Sequence, residues 1–91
     1  MELLVIYKLK ENNADEFMKA LSDEGIPEKV RRENGCLGYD YFISADKKDS
    51  VVLLEKWETK EAQAVHLSQP LMNRLREIKD KFVAETTVKE L

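Results

Sequence analysis

The order of apolar periodicities along this chain predicts an α+β domain of ferredoxin-like type, a βαββαβ run forming a four-stranded antiparallel sheet. Three observations carry that reading. Four segments have the β-branched and aromatic content and the period of two expected of strands. Two stretches between them repeat apolar residues at helical spacing. The second and third strand segments are separated only by a short polar turn, which makes them an antiparallel hairpin. At 91 residues the chain holds one domain, 1–91, and leaves no room for a second.

The first strand is read at Glu2–Leu9, with Leu3, Val5, Tyr7 and Leu9 on one face and Leu4 and Ile6 on the other. Asn13 then offers an N-cap, and Glu16 three residues on completes a capping box. Ala14, Phe17, Met18 and Leu21 follow at helical spacing, and Gly25 and Pro27 interrupt them before Val30. One long, broken helix is expected, closed by Asn34-Gly35 with the glycine free to turn left-handed. Residues 37–44 form the second strand, with Leu37, Tyr39, Tyr41 and Ile43 sharing a face. The turn ADKKDS leads to a third strand at 51–58, in which Val51, Leu53, Glu55 and Trp57 alternate with Val52, Leu54, Lys56 and Glu58. Thr59 is placed to cap a helix carrying Ala62, Val65 and His66. Ser68 and Pro70 restart a helix whose face holds Leu71, Leu75, Ile78 and Phe82, and from about Lys81 onward the chain reads as the fourth strand.

The strands carry more apolar surface than the helices can cover. Helices of this topology lie on one face of the sheet, yet Leu4, Ile6, Val52 and Leu54 point to the other. A contiguous apolar patch on two central strands marks an interface, and a second copy of the same sheet is the expected lid. A homodimer also adds the buried area that a chain this small lacks.

Composition bounds the partners. Fifteen basic and 18 acidic residues leave a net charge of −3, and Lys29, Arg31 and Arg32 are interleaved with Glu28 and Glu33 as on a solvated helix face. A basic stripe for nucleic acid is missing. The apolar run before Lys8 is too short for a signal segment and no stretch reaches membrane-spanning length, so a cytoplasmic protein that engages no membrane is expected. A single cysteine, Cys36, fits a reducing compartment, and one cysteine with one histidine cannot build a structural zinc site; no metal is expected.

Chemistry gathers around Glu55 and His66. Glu55 shares a strand face with Val51, Leu53 and Trp57, where an ionised carboxylate is costly unless paired. His66, the one histidine, lies on the helix that returns over that sheet, and a Glu55–His66 hydrogen bond would make a proton-abstracting pair or a purely structural pin. Trp57, Tyr7, Tyr39 and Tyr41 offer flat walls with polar rims, suited either to an aromatic ligand or to an ordinary core. Cys36 reads as packing and Ser68 as a cap. Gly25, Gly35 and Gly38 lack the spacing of a phosphate loop, and no cofactor is expected.

Together, RRENGCLGYDYF and LLEKWETKEAQAVHLSQP resemble the antibiotic-biosynthesis-monooxygenase family. The match rests on Gly35, Cys36, Leu37 and Tyr39 leading the second strand, Glu55 and Trp57 ending the third, and Ala64, His66 and Ser68 on the next helix. The resemblance implies a dimeric α+β barrel with a pocket in each subunit between helices and sheet. It also implies one of several activities: oxidation of quinols or polyphenols by molecular oxygen without metal or flavin, haem degradation, or isomerisation of a small sugar derivative. The haem-degrading branch has an asparagine where Tyr7 stands and a histidine near Leu75, so this sequence departs from it.

The leading expectation is a cofactor-independent monooxygenase acting on a small hydroxylated aromatic or quinol. His66 and Glu55 would be its catalytic pair, and Trp57, Tyr39 and Tyr7 would hold the substrate. A proton-transfer isomerase using the same base, and a non-catalytic dimeric module that binds an apolar small molecule, are the alternatives.

Overall fold

Alternation along the first strand sets the sheet. In a computed structural model describing residues 1–91, β1 (Glu2–Leu9) buries Leu3, Val5, Tyr7 and Leu9 on its inner face. The chain continues as α1 (Ala14–Asp23), α2 (Ile26–Arg31), β2 (Cys36–Ile43), β3 (Ser50–Trp57), α3 (Lys60–Leu67), α4 (Leu71–Phe82) and β4 (Val83–Glu90). Strands are ordered β2-β3-β1-β4 and every neighbouring pair is antiparallel. This is the expected ferredoxin-like α+β fold, with the helices all on the inner face.

The core forms between that face and the helices. Val51, Leu53 and Trp57 from β3 and Tyr39 from β2 join the inner residues of β1. Phe17 and Leu21 of α1, Ile26 and Val30 of α2, and Leu75, Ile78 and Phe82 of α4 pack onto them. The Phe17 ring meets Tyr7 edge-on at 5.8 Å and Phe82 at 5.8 Å, tying both long helices to the central strand. On the outer face Leu4, Ile6, Val52 and Leu54 are only half-buried, and Phe42, opposite Val52, joins them at 55% exposure.

Four local expectations are corrected. The capping box at Asn13 does not form: Asn13 makes no side-chain cap, and its Oδ1 is buried without a partner. The chain there is tied instead through backbone, Ala14 N–H donating to Lys48 O at 3.1 Å. Leu37 does not share the face of Tyr39. A register shift between Cys36 and Gly38 makes Leu37 the extra residue of a bulge, which turns it to solvent at 67% exposure and brings Cys36 inward. Ser68 closes α3 rather than opening α4, its Oγ donating to Val65 O at 2.7 Å. Lys81 and Phe82 belong to α4, because the apolar row of that helix runs through Phe82 before the chain extends.

Two glycines set the turns. Gly25 (φ 66°) breaks the first helix into α1 and α2, and Gly35 (φ 83°) joins α2 to β2. Gly35 is also held by contact, since a Cβ built there would lie 2.6 Å from the Cβ of Ala62 on α3. Thr59 caps that helix as expected, its Oγ1 accepting from Ala62 N–H at 3.0 Å.

Gly35→Ala should therefore cost at least about 2 kcal/mol, from left-handed backbone strain together with the clash. Thermal unfolding should show a fall of roughly 8 °C or more. Gly38→Ala, whose Cβ would meet Lys56 at an ordinary 3.6 Å, is the control and should melt close to the wild type.

Candidate active site

A cleft of about 230 Å³ lies between α3, α4 and the β1–β4 side of the sheet. Helix α4 presents Met72, Leu75 and Lys79 to it, a row at spacings of three and four that falls on one helical face. Leu3, Val5 and Tyr7 of β1 form the opposite wall, and Glu55 and Tyr39 reach in from β3 and β2. Gln63, His66 and Leu67 of α3 close one end. The remaining side is open along β4, where Thr86 and Val88 point inward with no helix above them; Val88 is 59% exposed.

His66 is the one buried residue of α3, 2% exposed. Its Nδ1 lies 3.1 Å from both carboxylate oxygens of Glu33, in the turn between α2 and β2. Its ring stacks on Trp57 at 4.8 Å and 30°, and meets Tyr39 edge-on at 5.8 Å. In the neutral ring, a carboxylate at Nδ1 favours the tautomer with the proton on that nitrogen and Nε2 as the acceptor.

The expected Glu55–His66 hydrogen bond is not formed. Glu55 Oε1 instead accepts from the indole Nε1–H of Trp57 at 3.0 Å, a bond between residues two apart on one strand face. His66 is turned toward Glu33 because Gly35 allows α3 to approach the α2–β2 turn closely. Both predicted acid–base residues still line the same cleft, as do Tyr7 and Tyr39. Trp57 does not; it is fully buried, stacked on the His66 ring and donating its indole N–H to Glu55. Tyr41 turns its hydroxyl to Tyr39, 3.3 Å away, and its far side faces a separate depression with Met18, Pro27 and Arg31. No acid–base pair serves that second depression, and Arg31 is committed to Tyr39 O at 2.9 Å.

Comparison with known proteins decides the family. The family model for antibiotic biosynthesis monooxygenases matches residues 3–78. The chain belongs to the antibiotic biosynthesis monooxygenase family. Its fold is similar to that of a Nitrosomonas europaea protein described as a candidate antibiotic biosynthesis monooxygenase, at TM-score 0.85 and 24% identity over 97% of this chain and 84% of that one. PA3566 from Pseudomonas aeruginosa is similar at TM-score 0.83 and 19% identity, over 99% and 89% of the two chains. SO0527 from Shewanella oneidensis follows at TM-score 0.80 and 24% identity, over 97% and 84%. These identities establish the fold alone. No curated protein matches the chain.

The sequence reading of this family member misses one residue of the cleft wall, Lys79, and one that holds His66 from outside the cleft, Glu33. Glu33 was assigned to a solvated helix face, and its link to His66 spans 33 positions, beyond any local spacing rule. Lys79 left a usable signal, since it stands four residues after Leu75 on the same helical face. Its Nζ lies 5.5 Å over the Tyr7 ring, a cation–π contact. Burial pulls the Lys79 ammonium below its ordinary range, with Arg76 adding to the effect and Glu55 opposing it.

The tyrosines form a cluster that resists ionisation. Burial raises Tyr7 and Tyr39 well above 10.0, and the neighbouring Tyr41 and the Glu55 charge push the same way. Tyr41 is pushed up to about 12, chiefly by burial, while its hydrogen bond with Tyr39 favours its ionising first. Below pH 10 both folded and unfolded chains keep these protons. Above it the unfolded chain loses them first, so stability declines as pH rises toward and past 12.

Unfolding free energies measured from pH 8 to 11 should therefore be flat to about pH 9.5 and then fall, by up to about 1.4 kcal/mol per pH unit for each tyrosine that stays protonated in the fold. Tyrosinate absorbance should appear together with unfolding rather than before it. Replacing Tyr41 with Phe should leave most of the decline in place.

Proposed function

We propose that this chain is a cofactor-independent monooxygenase that oxidises a small hydroxylated aromatic or quinol with molecular oxygen. The observation that carries the reading is the buried His66, pinned through Nδ1 by Glu33 at the end of a cleft walled by aromatic rings. Family membership supports a monooxygenase-like role, and the chemistry below supplies the substrate class. A cavity of about 150 Å³ takes up benzene, so about 230 Å³ has room for one ring with its substituents.

In this reading Nε2 of His66 takes the phenolic proton, and the electron-rich phenolate passes one electron to triplet oxygen. The aryloxyl radical and superoxide combine, forming a ring carbon–oxygen bond. The oxygen–oxygen bond then breaks: one oxygen stays as the new carbonyl of a quinone, and the other leaves as water with the ring proton and the proton held by His66. Substrate supplies all four electrons. Tyr39 and Tyr7 flank the ring, and Glu55 is the second group in the cleft able to accept a proton.

The same reading takes the protein as a homodimer. Phe42, Val52, Ile6, Leu54 and Leu4 form adjoining cross-strand rows on the uncovered face, with Glu2, Lys8, Lys56, Glu85 and Lys89 around them. An apolar centre with a charged rim is what a self-complementary sheet-on-sheet contact needs.

Oxygen uptake with a panel of quinols in chelator-treated buffer should exceed the uncatalysed rate. His66→Ala should reduce it by about 10²–10⁴, the usual share of a positioned base. Glu33→Gln should reduce it less, through loss of orientation. Turnover that persists without oxygen would favour a proton-transfer isomerase. Light scattering at micromolar concentration should give twice the chain mass, and Leu54→Lys should return it to one.

A further inference from the structure

Lys79 is the one lysine or arginine lining the cleft, and it is unspent. The ion pairs of the protein join Lys8, Lys19, Arg31, Lys56, Arg74 and His66 to carboxylates; none includes Lys79. Its ammonium makes no hydrogen bond and rests over the Tyr7 ring. It is a half-buried cation outside every ion pair, favoured only at longer range by the Glu55 and Asp80 carboxylates, and a partly desolvated charge is more stable when directly paired.

Its position along the cleft is informative. His66 lies at the end of α3, just before α4 begins, beside Met72. Lys79 is seven residues further along α4, about 10 Å at the helical rise. Opposite it stand Tyr7 and its β4 partner Thr86, at the far end of the cleft. A ligand whose hydroxyl meets His66 therefore extends its other end toward Lys79. Glu55, beside Tyr39 at the His66 end of the cleft, would repel an anion there while Lys79 attracts it at the other end, so the two charges orient the ligand as well as hold it. Lys79 also lies just beyond residues 3–78, so the family match does not speak for it.

We propose that Lys79 is the specificity-determining residue of the cleft, and that the preferred ligands are hydroxylated aromatic carboxylates, bound with the carboxylate on Lys79 Nζ and a ring hydroxyl at His66. The orientation of the hydroxyl rests on the oxidation reading above; recognition of the carboxylate does not.

The two are separated by measuring binding without oxygen. Calorimetry under argon compares 2,5-dihydroxybenzoate with neutral hydroquinone on the wild-type protein, Lys79→Met and Lys79→Arg. The wild type should bind the acid at least about tenfold more tightly, the size of one charge-assisted hydrogen bond in a partly buried site. Lys79→Met should lose that preference, the ratio of the two affinities falling to about one, and Lys79→Arg should keep most of it. Equal affinities in the wild type, a preference that survives Lys79→Met, or no binding of either ring at millimolar concentration would each overturn the proposal. Oxygen uptake on the same ligands is then read separately. Selective binding without uptake removes the oxidation reading and leaves Lys79 its role, whereas uptake without selectivity does the reverse.

Discussion

The approach of α3 to the α2–β2 turn is the constraint on which the site depends, and it is made at Gly35. No side chain fits between that backbone and Ala62, and the residue holds φ at 83°. Gly35 O also accepts from Glu58 N–H at 2.8 Å, so the turn is fastened to the end of β3 as well as to the helix. Glu33 lies two residues before this contact and His66 one helical turn after it. The carboxylate and the imidazole meet because the two backbones are already in place around the glycine. The carboxylate–imidazole pair is thus a consequence of packing, assembled without any sequence proximity between its members.

Trp57 completes the arrangement from below. Its ring lies against one face of His66, while its indole N–H satisfies one oxygen of the buried Glu55. Burying that carboxylate unpaired would cost several kcal/mol; a charge-assisted hydrogen bond offsets part of this. His66 is consequently held at three points, by Glu33 at Nδ1, by Trp57 on its face and by the edge of Tyr39. An imidazole fixed in this way needs little reorganisation to accept a proton at Nε2. The same side chains are core residues, so orienting the base and closing the interior are one task.

How much could be read without coordinates follows from the range of each interaction. Strand faces were legible because alternation has a strict period: Leu3, Val5, Tyr7 and Leu9 are all buried, and Leu4 and Ile6 lie on the other side. The Thr59 cap was legible because its bond closes within three residues. Leu37 was misassigned because a bulge inserts one residue, and in a period of two this reverses the face. Asn13 carried the residues of a capping box but not its backbone geometry, since the chain there is committed to Lys48. The hydrogen bond expected between His66 and Glu55 is not formed and each has another partner, because a turn and a helix 33 residues apart meet only through tertiary packing.

These ranges also separate the parts of the site that can vary from those that cannot. Tyr7, Tyr39 and Leu75 belong to both the core and the cleft wall, and Trp57 is a core residue on which His66 stacks, so a change at any of them alters stability and the shape of the cleft together. Lys79, Thr86 and Val88 line the open side, where β4 has no helix above it, and none is in the buried core. A substitution there meets little packing resistance, since surface changes away from buried features usually cost within about 0.5 kcal/mol. His66 is therefore tied to the fold, whereas the rim residues are not. One scaffold can in this way keep a fixed imidazole while a few half-exposed side chains on α4 and β4 vary around the cleft.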